Sequence, residues 1–218
     1  MRAGIIKESV HVLAGIAYLA LVPGSASFAA PPEAISPEAA RDLQRQKPIA
    51  FLDADAAPEV VPDQRTILVF YSQTPIVRTA ITAAEKAANS GSTAKWLTGT
   101  PHEWRREGLA IREPEREQPL KLSARQLAAA VKDSTDLQLV DVRSQEAFDD
   151  GHVPTARHKM PHEFDAAQPE LSKTRWTILI DDGTHVSEQL ARDLARKGYA
   201  LVAWLEGGYP AWVAEPNK

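Results

Sequence analysis

Trp204-Leu205-Glu206-Gly207-Gly208-Tyr209-Pro210-Ala211-Trp212 decides how this chain is read, because Trp96-Leu97-Thr98-Gly99-Thr100-Pro101-His102-Glu103-Trp104 echoes it. Trp, Leu, Gly and Trp recur at one offset of 108 positions, and the two stretches hold four of the 5 tryptophans. Working outward, Phe51-Leu52-Asp53 echoes Leu139-Val140-Asp141, and a helix opened by Ser36-Pro37-Glu38 echoes one opened by Ser123. Echoes in this order imply two copies of one supersecondary unit.

In the second copy, Ser123 and Gln126 make a capping box ahead of Leu127, Ala130 and Val131. Residues 137–142 read as a strand. Residues 176–180 (WTILI) are a continuous apolar, β-prone run, the mark of a strand buried on both faces. Val186, Leu190 and Leu194 form one helical stripe, closed by Arg196, Lys197 and a left-handed cap at Gly198. Residues 200–204 are the next strand. This alternation predicts an α/β fold, a mainly parallel sheet flanked by helices. In the first copy, 49–53, 66–71 and 93–97 read as strands, about 75–88 as a helix and 102–107 as a short one. Asp53 and Ile67 are 14 positions apart, whereas Asp141 and Ile178 are 37 apart. The first copy is therefore expected to lack about a strand and a helix from its middle.

The chain has 218 residues, 44% hydrophobic and 25% charged, enough for two small packed units. Its 25 Lys+Arg against 29 Asp+Glu leave a net charge of -4, with no basic excess to neutralise phosphates, so no nucleic-acid partner is expected. The absence of cysteine removes disulfides, thiolate nucleophiles, zinc–thiolate sites and iron–sulfur clusters. Residues 1–29 read as a secretory signal peptide: Arg2 and Lys7, an apolar run over 10–22, then small residues with cleavage after Ala29. That run falls short of the ~20 residues a spanning helix needs. A periplasmic or secreted protein, without a membrane span after cleavage, is the expectation. The remaining divisions are a degenerate unit at 33–110, a charged, proline-bearing linker at 111–120 and a fuller unit at 121–214.

Asp141-Val142-Arg143, Glu146, Phe148 and Gly151-His152-Val153-Pro154-Thr155-Ala156, followed by Leu205 to Trp212, resemble the two signatures of the rhodanese (thiosulfate sulfurtransferase) family. The family usually has Gly-Ala where this chain has Thr155-Ala156. The whole chain is similar to a tandem rhodanese with its first domain trimmed. Asp141, Arg143, Gly151, His152, Pro154, Gly207, Gly208 and Trp212 read as structural signature residues. Asp141 is placed to accept backbone or Arg hydrogen bonds, Gly151 suits a positive-φ turn, and Gly207-Gly208 allow a tight reversal.

The resemblance also implies a cysteine directly after the central strand, held as a thiolate by loop amides at a helix N-terminus and carrying sulfur as a persulfide. Counting back from Gly198, that position is Asp181. The loop reads Asp181-Asp182-Gly183-Thr184-His185-Val186-Ser187, with Val186 where the family usually has Arg. Ser72 holds the like position in the first copy. Without a base beside it a Ser is no nucleophile, and Ser72 reads as a helix cap. Two carboxylates at a helix N-terminus fill such a nest themselves and repel anionic sulfur donors. Sulfur transfer by the family's usual route is excluded, since no residue supplies the thiol.

Asp182-Gly183-Thr184 is similar to part of the haloacid dehalogenase phosphatase motif, but Ile180 stands where that motif's nucleophilic Asp belongs. His152, His158, His162 and His185 are metal-ligand types without diagnostic spacing, so neither a metal nor a cofactor is expected. The expected protein is an exported, noncatalytic binding or regulatory module for a protein partner. Its working surface is the loop rim from Asp181 to His185, suited to a cationic or neutral partner. The alternatives are a sulfurtransferase-like enzyme that borrows a partner's thiol, and a metal-binding periplasmic accessory protein.

Overall fold

The computed structural model describes residues 31–58, 65–111, 118–133, 137–164, 170–216 and 218. The leader at 1–29 and most of the linker at 111–120 lie outside these residues.

Each half of the chain builds its own sheet. In the first half, β1 (Glu33–Ile35) leads into α1 (Pro37–Gln46), whose cap Ser36 accepts the Ala39 N–H at 3.2 Å. Then come β2 (Ile49–Asp53), a 3-10 turn (Ala54–Ala56), β3 (Ile67–Tyr71), α2 (Val77–Asn89), β4 (Ala94–Leu97) and α3 (Pro101–Arg106). The strands lie in the order β1-β4-β3-β2, all parallel. The two-residue period of β3 sends Leu68 and Phe70 to one face, against Ala80, Ala84 and Ala87 of α2. Val69 and Tyr71 go to the other face, against Ala40 of α1 and Trp104 of α3.

The second half begins with β5 (Leu120–Leu122) and α4 (Ala124–Asp133), whose capping box pairs Ser123 with Gln126. β6 (Leu137–Asp141), α5 (Gln145–Asp150), β7 (Arg157–His158) and a 3-10 turn (Pro161–Glu163) follow. The remaining elements are β8 (Trp176–Ile180), α6 (Val186–Arg196), β9 (Val202–Leu205) and α7 (Gly208–Ala214). The order β5-β9-β8-β6-β7 is again parallel throughout. All five residues of β8 are buried, as its unbroken apolar run requires. Leu127 and Trp212 cover one face of the strand, and Ala191 and Leu194 the other.

Removing β7 from the second order leaves the order of the first. The elements without a counterpart in the first half, among the described residues, are α5 and β7. The echoed motifs occupy like places. Thr98 N–H donates to Ile35 O at 3.0 Å after β4, and Glu206 N–H donates to Leu122 O at 2.8 Å after β9. Gly99 and Gly207 then turn the chain at φ +84° and +72°, a conformation that favours glycine. Among the described residues, no helix is long and apolar enough to cross a membrane.

Candidate functional site

The loop between β8 and α6 is built around one buried carboxylate. Asp181 is 3% exposed. Its Oδ1 accepts the Gly183 N–H at 2.9 Å and its Oδ2 accepts the Ser187 N–H at 3.0 Å, so the two oxygens tie both ends of the loop. Its carbonyl accepts the Tyr209 N–H at 2.7 Å, fastening the loop to α7. Gly183 makes the turn at φ +91°, and His185 enters α6 at φ +66° as its N-cap, with no side-chain capping bond. Gly208 stands directly behind. A Cβ there would lie 2.4 Å from both Asp181 O and Gly183 N, so only glycine admits this approach of two backbones.

The outer rim is polar and exposed. Thr184 Oγ1 donates to Asp182 Oδ1 at 2.6 Å. His185 Nδ1 lies 3.4 Å from Glu188 Oε2, with its ring edge-on to Trp204. Arg192 donates to Glu188 Oε1 at 2.6 Å and is the main cause that holds the Glu188 carboxyl below its ordinary range. Val186 is half-buried and joins the apolar layer beneath α6.

A second carboxylate closes the corresponding loop of the first half. Ser72 follows β3 and is buried; its hydroxyl donates to Asp55, 3.0 Å from each oxygen. Gln73 N–H donates to Asp55 Oδ2 at 2.7 Å, and Gln73 Nε2 donates to Asp53 Oδ2 at 2.7 Å. Thr74 Oγ1 accepts the Ile76 N–H at 3.3 Å. Ser72 therefore straps the loop to the turn after β2, with no imidazole among its hydrogen-bond partners in the described residues. Sequence reasoning named Ser72 and missed Asp55. The signal was present: Asp53-Ala54-Asp55 aligns with Asp141-Val142-Arg143, and a carboxylate replaces the guanidinium at the third place.

Asp141, Arg143 and Gly151 of the second half's signature form a knot with Tyr209, the residue that fastens the loop to α7. Arg143 Nε and Nη2 donate to the fully buried Asp141 carboxylate at 2.9 and 2.7 Å, and Nη2 also donates to Gly151 O at 2.6 Å. The guanidinium lies 3.9 Å over the Tyr209 ring. Gly151 corrects the expectation of a positive-φ turn: its φ of 160° is extended backbone. Glycine is needed there for space, because a Cβ would meet Tyr209 Oη at 2.6 Å. Trp212 is buried in the core under α7, and Pro154 lies in an exposed turn next to Thr155, which takes φ +68°.

Two of the histidines of the second half, His152 and His158, make local hydrogen bonds, and His162 lies in the 3-10 turn Pro161–Glu163. His152 stacks on Phe148, ring centres 4.0 Å apart, and its Nδ1 donates to Phe148 O at 3.0 Å. His158 Nε2 donates to Arg143 O at 2.7 Å. Among the described residues, no group of three or more His, Cys, Asp or Glu comes together to hold a metal ion.

Comparison with known proteins agrees with the signatures. The rhodanese-like domain family matches residues 123–215. No curated protein matches the chain. Among solved structures, the rhodanese-like domain of an Anabaena protein is 26% identical, with a TM-score of 0.40, over 43% of this chain and 73% of that one. A rhodanese-related protein of Thermoplasma volcanium is 18% identical, with a TM-score of 0.41, over 45% and 95%. A thiosulfate sulfurtransferase of Pseudomonas aeruginosa is 15% identical, with a TM-score of 0.40, over 84% of this chain and 39% of that one.

Proposed function

We propose that the protein, whose residues 123–215 match the rhodanese-like domain family in a chain without cysteine, is a noncatalytic, exported binding or regulatory module, a tandem repeat whose first unit is trimmed. One observation carries this reading: two of the loop amides that the family resemblance assigns to an anionic substrate, Gly183 and Ser187, are already satisfied by the protein's own Asp181. The carboxylate can neither form a persulfide nor leave the cradle without orphaning the buried Ser187 donor. The Asp55–Ser72 strap supports the same reading for the first unit. What remains for recognition is the exposed rim of Asp182, Thr184 and His185, flanked by Glu188. Its carboxylates favour a cationic or neutral partner surface over an anionic one. Export is carried by the leader composition of residues 1–29.

The deciding experiment follows thiocyanate formation from thiosulfate and cyanide, using protein recovered from the periplasm and beginning at Ala30. The expected rate equals that of buffer. Turnover above buffer that disappears in Asp181→Ala overturns the noncatalytic reading.

A further inference from the structure

Between the two halves lies a cavity of about 260 Å3, at the carboxyl ends of β3 and β4. Ligands of open parallel sheets bind at that end of the strands. Three of the 5 tryptophans reach it: Trp96 of β4, Trp104 of α3 and Trp176 at the start of β8. Thr98 and Thr100 add hydroxyls. Among the described residues, the one ionisable group in the wall is Asp133, the last residue of α4, contributed from the second half.

The wall of this cavity carries charge of one sign. Arg78 bridges Asp133 at 3.0 Å but is not part of the wall; its side chain is 53% exposed, against 10% for Asp133. The positive end of α2 at Val77 is offset by Asp55, which holds the preceding loop through Ser72 and Gln73. Indole walls with a carboxylate and no wall cation suit a positive charge on an apolar body. The aromatic quadrupole attracts such a charge, and the ligand gives up little hydration to enter. An inorganic anion finds no cation among the described residues of the wall, and a neutral molecule makes no use of Asp133.

We propose that this cavity binds a small organic cation of the alkylammonium class. The inference does not depend on the noncatalytic reading, which concerns the β8–α6 loop. The test titrates the mature chain with tetramethylammonium chloride at ionic strength matched by sodium chloride, followed by tryptophan fluorescence and calorimetry. Saturable binding is expected, weakened about tenfold in Asp133→Asn by loss of the charge. Arg78→Gln breaks the same ion pair yet leaves the wall intact, so it is expected to bind at least as tightly as the unmodified protein. That contrast separates loss of the charge from loss of the joint. Absence of saturation, equal affinity in Asp133→Asn, equal losses in both variants, or saturable binding of glucose or sulfate at the same site overturns the proposal.

Discussion

Asp181 acts within its own loop as a bound anion acts within a phosphate-binding loop, with the difference that it is covalently present and cannot exchange. Its two oxygens serve amides four residues apart, Gly183 and Ser187. In Asp181→Ala the Ser187 donor loses its partner in a buried setting and the Gly183 donor in a part-buried one, and the expected loss of stability is about 1–3 kcal/mol. Inorganic sulfate should then restore part of that loss, because the vacated amides and the start of α6 form an anion site. Sulfate also stabilises folded proteins in general, so the quantity to read is the gain in Asp181→Ala beyond the gain in the unmodified protein, against matched chloride in urea titrations. Equal gains in both proteins would show that the cradle does not outlast its plug. The place of Asp181 was legible in the sequence because strand, loop, helix and the cap at Gly198 have fixed lengths. Its bonding to both ends of the loop follows from the turn at Gly183. The strap between Asp55 and Ser72 was not legible, since its partners stand 17 positions apart and meet only when β2 and β3 pair.

Elements were legible in proportion to their apolar length. β3 and β8 carry five residues each with little polar interruption, and both were expected within a residue of their ends. β1, β5 and β7 have three, three and two residues, too few to show any period. They exist because a neighbouring strand offers an edge: Glu33 to Ile35 align on Lys95 to Leu97, and Arg157 and His158 on Val140 and Asp141. The connections among such short elements depend on side-chain knots, of which Asp141–Arg143–Gly151–Tyr209 is the best defined. Here the contact between Gly151 and Tyr209 Oη gives a specific expectation. Gly151→Ala should cost about 1–3 kcal/mol by overpacking, and Tyr209→Phe in the same chain should recover much of it by removing the oxygen at 2.6 Å. A thermal or urea double-mutant cycle reads the coupling. Additive losses in the double variant would place the cost in the backbone at Gly151 and not in the oxygen.

The two halves differ in how much they bury. The second has large side chains on both faces of its sheet, whereas one face of the first rests largely on alanines of α2 against Leu68 and Phe70. A unit with so little apolar area gains from a neighbour, and the joint shows how. Ile76, in the loop that follows Ser72, packs against the core of the second half, and two residues on Arg78 pairs with Asp133. The loop after β3 is thus a contact that joins the first half to the second. The relative strengths follow from exposure. The Arg78–Asp133 bridge has a half-exposed partner, so Arg78→Ala is expected to cost no more than about 1 kcal/mol. Ile76→Ala removes buried methyl groups from the joint and should cost roughly 1–3 kcal/mol. It should also broaden or split a calorimetric unfolding transition that is otherwise single, because the first half then melts ahead of the second. The ratio of calorimetric to van't Hoff enthalpy measures this directly. If Ile76→Ala lowers the midpoint yet leaves that ratio unchanged, the two halves are coupled through other contacts, and the loop after β3 is not the joint.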